Sequence, residues 1–295
     1  MTRDGRWCAR PRPYGDRVLL SSALPTRIGV PVEKAALRFG RADEAHPFVA
    51  RYLFMSDEPA FELSLWCGTC PFLFERKGGA NRTLSSEVEP LAVLEEGLSS
   101  IDERVVSQFA SLLPEGDYLP LLLEVSPELV SPHDEQDYFT HEQVATWGVD
   151  SFWGLPENPR SYYYRTFETR VKADEHLYEF VVPMVPPRWN QRDRVEHYRD
   201  LVGRGGTPTA VALSTLDVCQ PATDDESTDY YAHWGLSHFL LDGHHKFEAA
   251  AEVGANVRLL ALVSLAGSLA GPDDVARLPE LLRQPTASRL GEAGA

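Results

Sequence analysis

The hydrophobic pattern of the chain changes character near its middle. In the first 175 residues short apolar runs alternate with polar ones, as in FELSL and FLFER on either side of Cys67-Gly68-Thr69-Cys70, and these predict paired strands. A helical stretch is expected over 101–113, and YLPLLLEV, close before Pro127, reads as a strand. From His176 strands and helices alternate regularly, which places a boundary at 172–175. LYEFVVPMV predicts a strand stopped by Pro186-Pro187. Val195, Tyr198 and Leu201 or Val202 fall three and four apart, so a helix is expected from 190 or 191 to 202, ended by Gly203 and Gly205-Gly206. A β-prone stretch at 209–218, an acidic loop at 221–229 and a short buried strand at 238–241 follow. A helix at 244–253, with Phe247, Ala250, Ala251 and Gly254 on one face, and the strand NVRLLALVS complete the second half. Beyond Gly271 one short helical stretch, 275–282, precedes small polar residues expected to fray.

These elements predict an α+β or α/β protein in three parts: a strand-rich N-terminal domain over 1–175, a mixed α/β domain over 176–270, and a flexible tail over 271–295. Trp147, Trp153, Tyr162, Tyr163 and Tyr164 crowd the end of the first part and predict a packed aromatic cap, with Trp66 joining from the hairpin. There is no internal repeat.

Charge and cysteine usage narrow the function. A formal net charge of -16 argues against nucleic-acid binding through the whole surface, because that affinity comes from Lys and Arg displacing counterions. The start, MTRDGRWCARPRPYGD, has no apolar run of the secretory kind, and LLALVSLAGSLAG is shorter than the roughly 18 residues of a membrane span. A cytoplasmic protein without a membrane partner is therefore expected. The 4 cysteines point to thiols or a metal site rather than a disulfide framework. Cys67 and Cys70 would face each other across a two-residue Gly-Thr loop. A zinc site there would need Cys8, Cys219 or a histidine such as His46 from afar, and thioredoxin-like chemistry would need the pair to open a helix. Packed or surface thiols are the favoured reading. His133, His141, His176 and His197 stand at no ligand spacing.

The segment that carries chemistry is Asp242-Gly243-His244-His245-Lys246, where an apolar strand turns into a helix. That geometry aims unpaired backbone N–H groups at an anion, and a glycine lets the anion approach the backbone. Two histidines and a lysine occupy a first turn that normally prefers acidic residues, a placement a bound phosphate would favour. Asp242 can cap the helix or orient an imidazole. The competing reading makes His244 an ordinary core histidine at the edge of the Phe247/Ala251 face and Lys246 a solvated side chain.

The stretch FLLDGHHKFEAAAEVGANVRLLALVS resembles the second motif of the ParB/sulfiredoxin superfamily, and VPMVPPRWNQRDRVEHYRDLVGRGG followed by TPTAVALSTLD resembles its opening strand, Pro/Arg turn, first helix and next strand. The likeness covers about 90 residues. It implies Gly243, His244, His245 and Lys246 as phosphate contacts, with Arg188 beside the ligand. Lys246 stands where members commonly have arginine, and Asp-Gly-His-His replaces the turn that holds the sulfiredoxin cysteine, which speaks against sulfinic acid reduction. ATP or ADP with Mg²⁺ is the implied cofactor set, and a small-molecule substrate the implied partner. Phosphoryl transfer would further need carboxylates, for which Asp242 and Asp217 are better placed than Asp224, Asp225, Glu226 or Asp229 in the acidic loop. His244, Asp242 and Asp217 are thus the expected catalytic set of a phosphotransferase of the small-molecule kinase kind. A non-catalytic interaction protein built on the CxxC hairpin is the alternative. A partition-type DNA-binding protein or nuclease is disfavoured, since little chain follows Ser264 to form a helix-turn-helix.

Overall fold

The computed structural model describes residues 17–41, 51–63, 75–80, 84, 91–131, 161–172, 175–219 and 232–283. Its first part holds β1 (Val18–Ser22), β2 (Thr26–Ile28), β3 (Leu37–Arg41), β4 (Arg51–Met55), β5 (Glu58–Leu63), β6 (Glu75–Arg76), α1 (Ala92–Glu96), α2 (Glu103–Ala110), β7 (Gly116–Val125), β8 (Glu128–Val130) and β9 (Tyr163–Lys172). The second holds β10 (Glu175–Val182), a one-turn 3-10 helix (Pro187–Trp189), α3 (Arg192–Gly203), β11 (Thr209–Cys219), β12 (Ala232–Asp242), α4 (His244–Val253), β13 (Val257–Ser264) and α5 (Pro272–Leu281).

The protein is mixed α/β, with a large strand-rich sheet and few helices. Among the described residues, nine strands form one sheet in the order β1-β7-β13-β11-β12-β10-β9-β8, with β2 also pairing with β7. The β10/β12 and β11/β13 pairs are parallel, and the other pairings of this sheet are antiparallel. Central strands such as β13, VRLLALVS, are apolar nearly throughout because both faces are covered. On one face Leu122, Leu213, Leu260 and Phe239 pack against a four-stranded antiparallel sheet, β3-β4-β5-β6, through Leu37, Leu53 and Phe61. The opposite face places Leu121, Ala212 and Leu240 beneath Phe247 and Ala250 of α4 and Val275 and Leu278 of α5. Helix α3 then lies on α4 through Val195, Tyr198 and Ala249.

The boundary expected at 172–175 falls between β9 and β10, which are neighbours in the sheet, and β7 from the first half pairs along its length with β13 from the second. The two halves therefore share a sheet rather than dividing at that point. Residues 272–282 belong to the fold and not to a flexible tail, since Val275, Leu278, Leu281 and Leu282 are buried. Strand β12 is longer than the expected 238–241, running from Ala232 to Asp242, and its buried His238 is tolerated because Ser214 and Glu179 meet its two ring nitrogens. Of the aromatic cap, Tyr163 and Tyr164 are strand residues packed on Phe180 and Phe247, while Trp147 and Trp153 lie outside the described residues. Trp66, Cys67, Cys70, Cys8, His46 and the acidic loop with Asp224, Asp225, Glu226 and Asp229 also lie outside the described residues.

Candidate functional site

The strand-to-helix turn forms as its sequence requires. Gly243 sits at φ 101°, ψ 18°, a left-handed conformation that other residues resist. A side chain there would also collide with Ala210 of the neighbouring strand, whose Cβ lies 2.4 Å from the position a Gly243 Cβ would take. Gly243 offers no side-chain cap, so nothing on that residue occupies the first N–H groups of α4. The turn opens on a cleft of about 260 Å³ between α4 and the segment joining β10 to α3.

Both histidines face that segment. The Met184 N–H donates to His244 Nε2 at 3.1 Å, and the Gln191 N–H donates to His245 Nε2 at 3.1 Å. An imidazole nitrogen that accepts is unprotonated, so each ring is neutral with its proton on Nδ1. Burial first, and next its neighbour His245, push His244 down to about 4 against the pull of Asp242. Burial, and next Arg194, likewise push His245 down to about 4 against Asp242 and Asp193. Expected as phosphate contacts, the two rings each accept a backbone N–H from the facing segment. The pair instead fastens the β10–α3 connection to the helix start.

Lys246 is buried, and its Nζ donates to Asp242 Oδ2 at 2.6 Å and to the Thr209 carbonyl at 2.8 Å. Neither the core-histidine reading nor the solvated-lysine reading is complete: all five turn residues line the cleft, but Lys246 spends two of its three donors on the protein. Asp242 remains 39% exposed and is the carboxylate of the turn.

Asp217 is elsewhere. It pairs in register with Gly235, seven residues before Asp242 on β12, or about 23 Å along the strand at about 3.3 Å per residue. Both its oxygens bind Arg51 of the smaller sheet, and the Leu269 N–H donates to it at 3.0 Å. It is a buried structural pair joining the two sheets, not a catalytic group beside the turn. Arg188 is exposed and absent from the cleft wall; its charge is felt by Arg76, whose pKa is lowered by burial first and by Arg188 second.

The wall holds residues that the sequence reading passed over. Asn190 Nδ2 donates to Glu248 Oε2 at 2.5 Å, and Glu248 is also paired with Arg192 at 3.0 Å. Arg194 lines the cleft and makes no ion pair among the described residues. Trp189, 47% exposed, stands at its edge. The available signal was position: residues 190 and 191 immediately precede α3 and 194 lies in its first turn, next to the start of α4. No group of three His, Cys, Asp or Glu side chains among the described residues is placed to hold a metal ion. No helix among them is long and apolar enough to cross a membrane.

Comparison with family models, curated proteins and solved structures returned no match.

Proposed function

We propose that the cleft at the start of α4 binds a phosphate-bearing small molecule, as the resemblance to the ParB/sulfiredoxin superfamily implies for the same residues. The observation that carries the reading is an uncapped helix start at a left-handed glycine, opening directly into a cleft with Arg194 on its wall. Backbone N–H groups there and the positive end of the helix dipole suit an anion. In this reading the N–H groups after Gly243 hold the phosphate, Arg194 supplies the charge that Arg188 was expected to supply, and His244 and His245 fix the walls. The ParB/sulfiredoxin-like arrangement of the second half belongs to the same proposal.

Binding is the part of the phosphotransferase reading that the geometry supports. Phosphoryl transfer from ATP with Mg²⁺ needs a carboxylate free to position the metal or the acceptor. Of the two expected, Asp217 is committed to Arg51 and Asp242 to Lys246. The test is thermal unfolding of the full chain with inorganic phosphate, pyrophosphate, ADP and ATP, with and without Mg²⁺. A ligand at about 100 times its Kd stabilises the native state by about 2.7 kcal/mol, a midpoint shift of a few degrees. A shift that Arg194→Gln reduces supports the reading, and no shift with any of these anions overturns it.

A further inference from the structure

The connection from β10 to α3, residues 183–191, contains Pro183, Pro186 and Pro187. Each proline lacks a backbone donor and fixes its own φ, so the segment is stiff. Two of its N–H groups are used within it: Trp189 donates to the Pro186 carbonyl and Asn190 to the Pro187 carbonyl, both at 2.9 Å. Two others, Met184 near one end and Gln191 at the other, donate to the imidazoles of the adjacent residues His244 and His245. Asn190 adds a tie through its side chain, donating to Glu248 Oε2 and, at 3.4 Å, to the His244 carbonyl. The segment is thus a strap, shaped by its own turn and clipped near both ends to the first turn of α4.

A clip made of imidazole has a built-in release. Nε2 accepts an N–H only while it is unprotonated; a proton there sets donor against donor. A glutamine side chain would hold the same N–H at any pH. The charged groups facing the rings are Asp242 at the end of β12 and Arg192, Asp193 and Arg194 in the first turn of α3. Lys246 and Glu248 on α4 are paired with Asp242 and Arg192. Burial first, and next His245, oppose a proton on His244, and Asp242 favours it. For His245, burial and next Arg194, with Arg192, oppose it, and Asp242 and Asp193 favour it.

We propose that His244 and His245 form a proton-operated latch: the strap is closed at neutral pH, and protonation of the two rings frees it together with the wall that Trp189, Asn190 and Gln191 give the cleft. In the closed strap the rings take a proton only near 4, and once freed they do so near the ordinary 6.5. Closure is therefore fully favoured above about pH 6.5 and is lost progressively as the pH falls toward 4. The latch stands on the hydrogen bonds of the strap, so it holds whether or not the cleft takes an anion.

The experiment is amide hydrogen exchange of the full chain without ligand, read residue by residue by NMR as protection factors corrected for intrinsic exchange. Between about pH 7 and about pH 5.5, protection of the Met184 and Gln191 amides is expected to fall at least about tenfold. Val195, whose N–H donates to the Gln191 carbonyl, and Phe247, whose N–H donates to the Gly243 carbonyl, should keep theirs. His245→Gln should hold Gln191 protected at both pH values, and His244→Gln should do so for Met184. His245→Leu should leave Gln191 unprotected already at neutral pH. Unchanged protection of Met184 and Gln191 in the wild type overturns the latch. A loss shared equally by Val195 and Phe247 does so too, since the helices would then be unfolding with the strap. An acid loss at Gln191 that persists in His245→Gln is equally fatal. The wild-type comparison decides by itself if a variant does not fold.

Discussion

His238, in the middle of β12, and His244 and His245, just past its end, differ in what their ring nitrogens touch. His238 is fully buried, with Nδ1 2.7 Å from Ser214 Oγ and Nε2 2.9 Å from Glu179 Oε1. Burial pushes the Glu179 carboxyl up, but the Arg17 guanidinium, 3.8 Å away, and His238 outweigh it and hold the group below the usual carboxylate range. The Ser-His-Glu order resembles a nucleophile relay, yet Ser214 is sealed in mid-strand, and the network reads as charge balance for a buried polar cluster. Inside a sheet the backbone groups are taken by the strand ladders, so an imidazole must find side chains. At the start of α4 the connecting segment has spare N–H groups, so His244 and His245 are satisfied by backbone and line a cleft. The same residue type is sealed in one place and available at a surface in the other.

Breaking the sealed network should cost most. Glu179→Gln leaves Arg17 and His238 without their buried anion, and a loss of about 3–5 kcal/mol is expected in urea denaturation. A loss below about 1 kcal/mol would show that the cluster is not held by charge. Asp217→Asn should cost about 3 kcal/mol through Arg51, with phosphate affinity of the folded protein unchanged in a titration; a weakened affinity at intact fold would return Asp217 to the site. Gly243→Ala should cost about 1–3 kcal/mol from positive φ and the Ala210 contact, and should also weaken phosphate binding. The pH dependence of the cleft comes last because it vanishes at neutral pH and grows only as pH falls. Each cleft imidazole takes a proton near pH 6.5 when unfolded and only near 4 when folded, so the unfolded chain binds protons first as pH falls. The stability that the neutral pair contributes is complete above about pH 6.5 and is lost progressively toward pH 4. In a His244→Gln, His245→Gln variant the melting midpoint should vary less across that window; an unaltered slope would mean that other groups set it.

Much of the second half was legible in the sequence, because its signals are local. Val195 and Tyr198 at helical spacing, glycines after α3, and Gly243 between an apolar strand and an alanine-rich helix each fix structure within a few residues. What could not be read is set by contacts across large sequence separations. The pairing of β7 with β13 joins the halves that composition seemed to divide, and Arg51 claims Asp217 from 166 residues away. The turn itself shows both sides of this. Its position was plain, but the neutral state of its histidines depends on Met184 and Gln191, and the release of Arg188 in favour of Arg194 depends on how α3 lies on α4.

The central claim is tested most directly by ¹H–¹⁵N spectra of the full chain titrated with inorganic phosphate and then with AMP. The largest shifts are predicted at the backbone amides of His244, His245 and Lys246. Amide shifts confined to other parts of the surface, or none at these three residues at saturating ligand, would contradict the assignment of the α4 start as an anion site.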